Sequence, residues 1–119
     1  EVAGSSAKNQ CVDLANAYIR DVLGLPIVPN CDAKDFPTRV SSEDYEWILF
    51  FDGNTPQYGD IVIWGTGVGE SGHIDVCIDK RANTHGFGGF DQNWPRGYPC
   101  KPVGHNYAHV QGWLRPKKK

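Results

Sequence analysis

Four cysteines and four histidines are the residues of this sequence that could act as a nucleophile, a base or a metal ligand. The cysteines, at positions 11, 31, 77 and 100, show no C-x-x-C spacing and no zinc-finger pattern, so a zinc site is not indicated. Cys11 is expected near the start of a helix, where unpaired backbone N–H groups and the helix dipole favour a thiolate, the nucleophilic form. The alternative is a thiol packed beneath the helix, because cysteine is among the most often buried residues.

His73 opens a segment of alternating residues, and the two-residue period of a strand puts His73, Asp75 and Cys77 on one face. A histidine there could be a general base if a neighbour fixes its tautomer. Asp91 and Asn93 lie in the next predicted strand. If the two strands pair, the carboxylate of Asp91 could accept the imidazole N–H. The alternative for His73 is an isolated histidine in the core or at the surface. Cys77 is expected to be a packed strand residue.

One amphipathic helix followed by several strands is predicted to position these residues. Apolar side chains recur at three- and four-residue steps from Gln10 to Leu23, which predicts a helix that Gly24 and Pro26 stop. Residues 27–42 are predicted to be loop, with a short helix near Ala33. Strands are predicted at 47–51, 61–64, 73–79, 87–94 and 107–114. This order is typical of an α+β fold with antiparallel strands.

Length, composition and charge exclude several classes of protein. The 119 residues, 39% of them hydrophobic, suffice for one compact core. No apolar run approaches the roughly 18 residues that a membrane span needs. Four of the twelve Lys and Arg residues lie at the last five positions, so the rest of the chain is acidic and lacks the basic face of a nucleic-acid binder. We therefore predict a monomer with a single domain at 1–116 and a basic tail or linker remnant at 117–119. The absence of Met at position 1 and of a cationic, apolar leader indicates a mature product or an excised domain.

Two other patterns do not predict a site. Residues 67–72 spell G-x-G-x-x-G after a strand, but another strand follows, so no helix N-terminus is available for a pyrophosphate. His105 and His109 have the spacing of helical zinc ligands, yet Gly104 and the residues after His109 predict an extended segment. The aromatic residues could line a sugar groove, although most are expected in the core.

Five short motifs follow one another along the chain, from about Asn9 to Pro116. They are Gln10-Cys11-Val12-Asp13-Leu14, Gly59-Asp60-Ile61-Val62-Ile63-Trp64, Gly72-His73-Ile74, Asp91-Gln92-Asn93-Trp94 and Trp113-Leu114-Arg115-Pro116. In this order they resemble the CHAP family of cysteine- and histidine-dependent amidohydrolases/peptidases, especially the peptidoglycan-cleaving domains of bacteriophage endolysins. The resemblance implies a papain-like fold, in which an N-terminal helix that carries the cysteine packs on an antiparallel sheet. It also implies hydrolysis of an amide in the bacterial cell wall.

Carried over to this sequence, the resemblance assigns the nucleophile to Cys11, the general base to His73 and the orienting acid to Asp91. Asn93 matches a further polar position of the site. The implied chemistry is attack of the thiolate on a carbonyl carbon, protonation of the leaving amine, and hydrolysis of a thioester. The remaining expected contacts, to the oxyanion or the substrate, are Gln10, Asp75 and Trp94.

The sequence departs from the family pattern at two places. Asp75 stands where a small residue usually follows the histidine, so it is a rival for the orienting role or a substrate contact, and the motif favours Asp91. Many relatives bind calcium through an acidic loop before the helix and an Asp two residues after the cysteine. Asp13 is present, but residues 1–9 contain no Asp, so neither calcium nor another cofactor is expected.

The sequence leaves several points open. Cys31 and Cys100 could form a disulfide if the protein works outside a cell, whereas a protein made in a reducing cytoplasm would not need one. The scissile bond is either the N-acetylmuramoyl-L-alanine amide or a peptide bond of the wall, and the protein is expected to act there whether it is made in an infected host's cytoplasm or secreted. Alternative functions are a non-catalytic wall-binding module and an amidase or transacylase for a small soluble amide.

Overall fold

The computed structural model describes residues 10–28, 33–51, 53–65, 72–91 and 101–117. An α-helix, α1 (Gln10–Tyr18), continues as a π-helical segment (Ile19–Leu23), and a 3-10 helix (Ala33–Arg39) follows. The strands are β1 (Tyr45–Leu49), β2 (Ile61–Trp64), β3 (His73–Cys77), β4 (Phe87–Asp91), β5 (Lys101–His105) and β6 (Val110–Pro116). The helix and the strands make this an α+β structure, as the sequence predicts.

The described strands form one six-stranded sheet in the order β1-β6-β2-β3-β4-β5, and each strand is antiparallel to its neighbours. In the β2–β3 pair, Trp64 lies opposite His73. In the β3–β4 pair, Val76 lies opposite Phe90 and Cys77 lies opposite Gly89. The pairing of β3 with β4, on which the predicted site depends, is therefore confirmed.

The two faces of the sheet bury different side chains. On the helix face, the core contains Ala15 and Ile19 from the helical region together with apolar strand residues, among them Ile61, Ile63 and Ile74. On the opposite face, here called the aromatic face, the core consists of Val62, Trp64, Cys77, Phe87, Val110 and Trp113. Since side chains alternate along a strand, His73 and Asp75 lie on the aromatic face, on the other side of β3 from Ile74.

The helix ends as the sequence predicts. Gly24 adopts a left-handed conformation, with φ of 68°, and its N–H donates to the carbonyl of Ile19. Glycine adopts this conformation without steric cost, and such a residue commonly terminates a helix. Asn16 then fixes the returning chain through two 2.7 Å hydrogen bonds with the backbone of Val28. None of the helices among the described residues is long and apolar enough to cross a membrane.

Strand boundaries differ from the predicted ones, and β5 is not predicted at all. Pro102 and Gly104 disfavour a strand, but β5 pairs only with β4 and lies at the edge of the sheet. An edge strand tolerates proline because one of its sides makes no ladder hydrogen bonds. The predicted strand 87–94 ends at Asp91 in β4, and its last three residues lie outside the described part of the chain.

Candidate active site

The structure describes only part of the residue set that the sequence predicts. The side chains of His73 and Asp75 are described. Positions 10 and 11 form the start of α1 and position 91 ends β4, and only their backbone is described. Asn93, Trp94 and the two cysteines whose disulfide the sequence leaves open, Cys31 and Cys100, lie outside the described residues. Their roles therefore stay predictions.

His73 is a buried histidine at the start of a strand. Gly72, with a φ of 77°, makes the turn that leads into β3, and His73 is its first residue. The histidine is only 4% exposed, and the centroid of its ring lies 5.1 Å from that of Trp64. Because Trp64 occupies the opposite position on β2, the two rings share the aromatic face. Packing of this kind restricts the orientation of the imidazole.

Asp75 and His105 are in buried contact on the same face. The Nε2 atom of His105 lies 3.2 Å from Oδ2 of Asp75, and their side chains are 4% and 0% exposed. The ring centroid of His105 lies 4.7 Å from that of Trp64 and 5.5 Å from that of Phe87. The 6.1 Å between the ring centroids of His105 and His73 makes both histidines part of one cluster.

The sequence does not predict His105 as part of this cluster, because its four-residue spacing from His109 relates it only to a zinc site. One signal was present. An aspartate in an otherwise apolar, buried strand needs a partner, since the burial of an unpaired carboxylate is costly. The partner comes from β5, the strand that the sequence did not predict. Among the described residues, no group of three or more His, Cys, Asp or Glu side chains could hold a metal ion.

Cys77 is a packed thiol, as the sequence predicts. It is fully buried and is a free cysteine. Burial removes the hydration that a thiolate would need, and together with the nearby carboxylates it raises the pKa of Cys77 to about 12. Cys77 therefore remains a thiol at neutral pH and is not a nucleophile.

Contacts at the end of α1 show how this helix runs relative to β3. The hydroxyl of Tyr18 donates to the carbonyl of Gly59 at 2.9 Å, and the N–H of Gly59 donates to the carbonyl of Cys77 at 2.7 Å. The last turn of α1 therefore lies beside the end of β3 that carries Cys77. Leu14, farther back along the helix, and Val76 line the same groove.

An apolar cavity of about 510 Å³ lies between the helical region and the strands on the helix face. Its walls include Leu14, Tyr18, Val22, Val76 and Phe90. His73, the predicted catalytic residue whose side chain the structure describes, does not line this cavity, and the cysteine that does, Cys77, is a buried thiol. The cluster around His73 is therefore the better candidate for chemistry.

Comparisons with known proteins show the fold and the family of this chain. A crystal structure described as that of a wild type endolysin, LysIME-EF1, superimposes with a TM-score of 0.80 at 24% sequence identity, over 97% of this chain and 56% of that one. The likeness shows a shared fold, and the present chain spans little more than half of the endolysin's length. A search of curated proteins found no match. The family model of the CHAP domain matches residues 2–93, so this chain belongs to the CHAP domain family.

Proposed function

We propose that this chain hydrolyses an amide bond of bacterial peptidoglycan, with Cys11 as the nucleophile and His73 as the general base. The observation that carries the proposal is the ordered, buried ring of His73 at the start of β3, in a chain of the CHAP domain family. The fold shared with an endolysin supports the choice of substrate. The bond is the N-acetylmuramoyl-L-alanine amide or a peptide bond of the wall.

Cys11 is the cysteine that fits the nucleophile best. It occupies the first turn of α1, where the helix dipole and free N–H groups stabilise a thiolate. The packing of α1 on β3, the strand that His73 begins, supports the pairing of Cys11 with this histidine. The fold proposed on this basis is papain-like.

The reaction follows the cysteine–histidine variant of the catalytic triad. The Cys11 sulfur attacks the carbonyl carbon, and the backbone N–H of Cys11, with the side chain of Gln10, stabilises the negative oxygen. His73 gives a proton to the nitrogen of the leaving amine as the C–N bond breaks, which leaves a thioester on Cys11. His73 then takes a proton from water, the resulting hydroxide attacks the thioester, and the acid product departs.

Strand register supports Asp91 as a polar neighbour of the site. Val76 lies opposite Phe90 in the antiparallel β3–β4 pair. Position 91, which ends β4, therefore comes opposite Asp75, two positions from His73. Residues directly opposite each other are close enough to interact. We assign Asp91 to the orientation of the imidazole, and Asn93 and Trp94 to polar and substrate contacts of the site.

The proposed enzyme acts on the bacterial cell wall as a monomer and needs no cofactor. Its acid–base and nucleophilic groups are all side chains, so the chemistry requires neither a redox group nor a Lewis acid. Treatment with EDTA should leave the rate of wall hydrolysis unchanged. A loss of activity that added calcium restores would show that a cation is needed.

Substitution of two cysteines tests the proposed nucleophile. Purified bacterial walls are incubated with the parent protein, with Cys11→Ala and with Cys77→Ala, and both turbidity and newly released amino groups are followed. The parent and the Cys77→Ala control should clear the walls, whereas Cys11→Ala should not. Clearing by Cys11→Ala at the parent's rate would refute the assignment. Wall binding by the parent without release of amino groups would indicate a binding module instead.

A further inference from the structure

We propose that His105 is a positioning residue of this site, which keeps the carboxylate of Asp75 charged and fixed beside His73. The inference rests on the proposed function and extends it to a strand outside the family model's match, which ends at residue 93. His105 does not contact the substrate in this account. It acts through Asp75, and Asp75 acts on the base.

The contact between Asp75 and His105 has the burial that such a role requires. The side chain of Asp75 is 0% exposed and that of His105 is 4% exposed, so water cannot replace either partner. A carboxylate in such surroundings remains ionised only if a polar partner donates to it or balances its charge. The 3.2 Å contact from Nε2 of His105 supplies that partner.

Packing fixes the geometry of the pair. Trp64 belongs to β2 and His105 belongs to β5, and β3 and β4 lie between these strands in the sheet. Nevertheless, the ring centroids of Trp64 and His105 are only 4.7 Å apart, so the two side chains meet over the intervening strands. The ring of Phe87, 5.5 Å from that of His105, packs on the same imidazole. His105 therefore has little freedom to turn away from Asp75.

Asp75 is placed to act on His73. The two residues are two positions apart on one face of β3, which separates their Cα atoms by about 7 Å. In a buried setting, a carboxylate at such a distance attracts positive charge on its own face more strongly than it would in water. We therefore expect loss of the charge on Asp75 to reduce the thiolate fraction of Cys11, which is the readout of the test.

Few other titratable groups on this face could produce the same effect. Cys77 of β3 and Tyr107, which follows β5, both have a pKa that burial raises to about 12, so neither changes charge near neutral pH. The residues that β2 and β4 contribute to the described cluster, Trp64 and Phe87, do not titrate. Asp91, the proposed orienting acid, ends β4. Because it is a charged neighbour of this site, it is kept unchanged in every variant of the test.

The test compares three variants of the whole chain with the parent protein. His105→Phe keeps a ring but removes the N–H donor, and His105→Gln keeps a donor. Asp75→Asn removes the charge directly. His85→Gln is the matched control, because His85 is exposed. Alkylation of each cysteine by iodoacetamide is measured against pH by peptide mass spectrometry, together with kcat and KM on purified walls.

The proposal predicts the following shifts. In the parent, the midpoint of Cys11 alkylation lies below the pKa of about 8.5 of an ordinary thiol. In His105→Phe and in Asp75→Asn it rises by at least about one pH unit, and kcat falls about tenfold with little change in KM. His105→Gln and His85→Gln stay close to the parent. Because both substitutions act through one charge, the double variant His105→Phe/Asp75→Asn should shift no further than either single variant.

Buried Cys77 reports folding within the same experiment, since it is alkylated only when the chain opens. If His105→Phe and Asp75→Asn keep an unreactive Cys77 and still show the parent's Cys11 profile, the inference is overturned. The inference would also be overturned if activity falls only in variants whose Cys77 becomes alkylated, because His105 would then have a merely structural role. If His105→Phe does not fold, the comparison of Asp75→Asn with His105→Gln decides by the same criteria. An ordinary thiol profile for Cys11 in the parent would instead refute the proposed function.

Discussion

Arg115 and Asp60 form a two-pronged ion pair between the last strand and the start of β2. Nη2 of Arg115 donates to Oδ2 of Asp60 at 2.8 Å, and its Nε donates to Oδ1 at 3.1 Å. Asp60 is 1% exposed and also accepts the N–H of Gln57 at 2.7 Å. Its carbonyl accepts the N–H of Cys77 at 2.8 Å, so this one residue joins β6, β2 and β3.

Removal of the Asp60 carboxylate should destabilise the fold. Asp60→Ala leaves the guanidinium of Arg115 and the N–H of Gln57 without their partner, and we expect the free energy of unfolding to fall by about 2–3 kcal/mol. The matched control is Asp21→Ala, because Asp21 pairs with Arg20 at 2.8 Å but is exposed. This exposed pair should contribute nothing measurable. Urea denaturation at pH 7 measures both variants, and equal losses would contradict the account.

Two tyrosines should respond in opposite ways to the loss of their hydroxyl groups. The hydroxyl of Tyr45 is buried and has no hydrogen-bond partner among the described residues, whereas that of Tyr107 donates to the carbonyl of Asn83 at 2.7 Å. Tyr45→Phe should therefore leave the free energy of unfolding unchanged or raise it by up to about 1 kcal/mol. Tyr107→Phe should lower it by about 1 kcal/mol. The reverse order in thermal or urea unfolding would show that these contacts are wrongly assigned.

Stability should fall at alkaline pH. The pKa of Cys77 is raised from 9.0 to about 12 by burial, and those of Tyr45 and Tyr107 are raised from 10.0 to about 12. Between pH 9 and 12 the unfolded chain thus binds fewer protons at these groups than the folded chain does. The free energy of unfolding must then decrease as pH rises, by at most about 1.4 kcal/mol per pH unit for each group.

Cys77→Ala isolates one part of this alkaline effect. Without the buried thiol, the decrease in stability from pH 8.5 to 10 should be shallower than in the parent, because the tyrosines titrate later. Urea midpoints at several pH values measure the two slopes. Parallel slopes would mean that the Cys77 thiol ionises as readily in the folded chain as in the unfolded one.

Hydrolysis of bacterial walls should show a bell-shaped dependence on pH. The rate should rise as the Cys11–His73 pair reaches its thiolate–imidazolium form and fall when that form loses its remaining proton. His73→Ala should lower the rate by about 10³-fold or more, because the base is absent. Initial rates of turbidity loss from pH 5 to 9 measure the profile. A flat profile would argue against this mechanism.

The helix and the central strands could be predicted because local pattern and tertiary packing agree there. The three- and four-residue spacing of apolar side chains gives the helical region, and Gly24 gives its end. The alternation in His73–Cys77 gives β3. The strand β5 could not be predicted, because its proline and glycine are tolerated only at a sheet edge, and no local pattern shows which strand lies at the edge.

The site could be predicted only in part for a related reason. The motifs indicated His73, and the two-residue period of a strand placed Asp75 on the same face of that strand. Both predictions need only one short segment of sequence. The partner of Asp75 lies on β5, and the two meet through the packing of side chains across the sheet rather than through sequence spacing. An unexpected carboxylate in a buried strand indicates that a partner exists, but the sequence alone does not name it.

A trapped intermediate tests the nucleophile most directly. The protein is incubated with purified muropeptides and quenched in acid, and its cysteine-containing peptides are weighed by mass spectrometry. The account predicts an acyl fragment of the substrate on the peptide that contains Cys11, an unmodified Cys77 peptide, and no adduct in Cys11→Ala. Hydrolysis by Cys11→Ala at the parent's rate, or an acyl group on another residue, would contradict it.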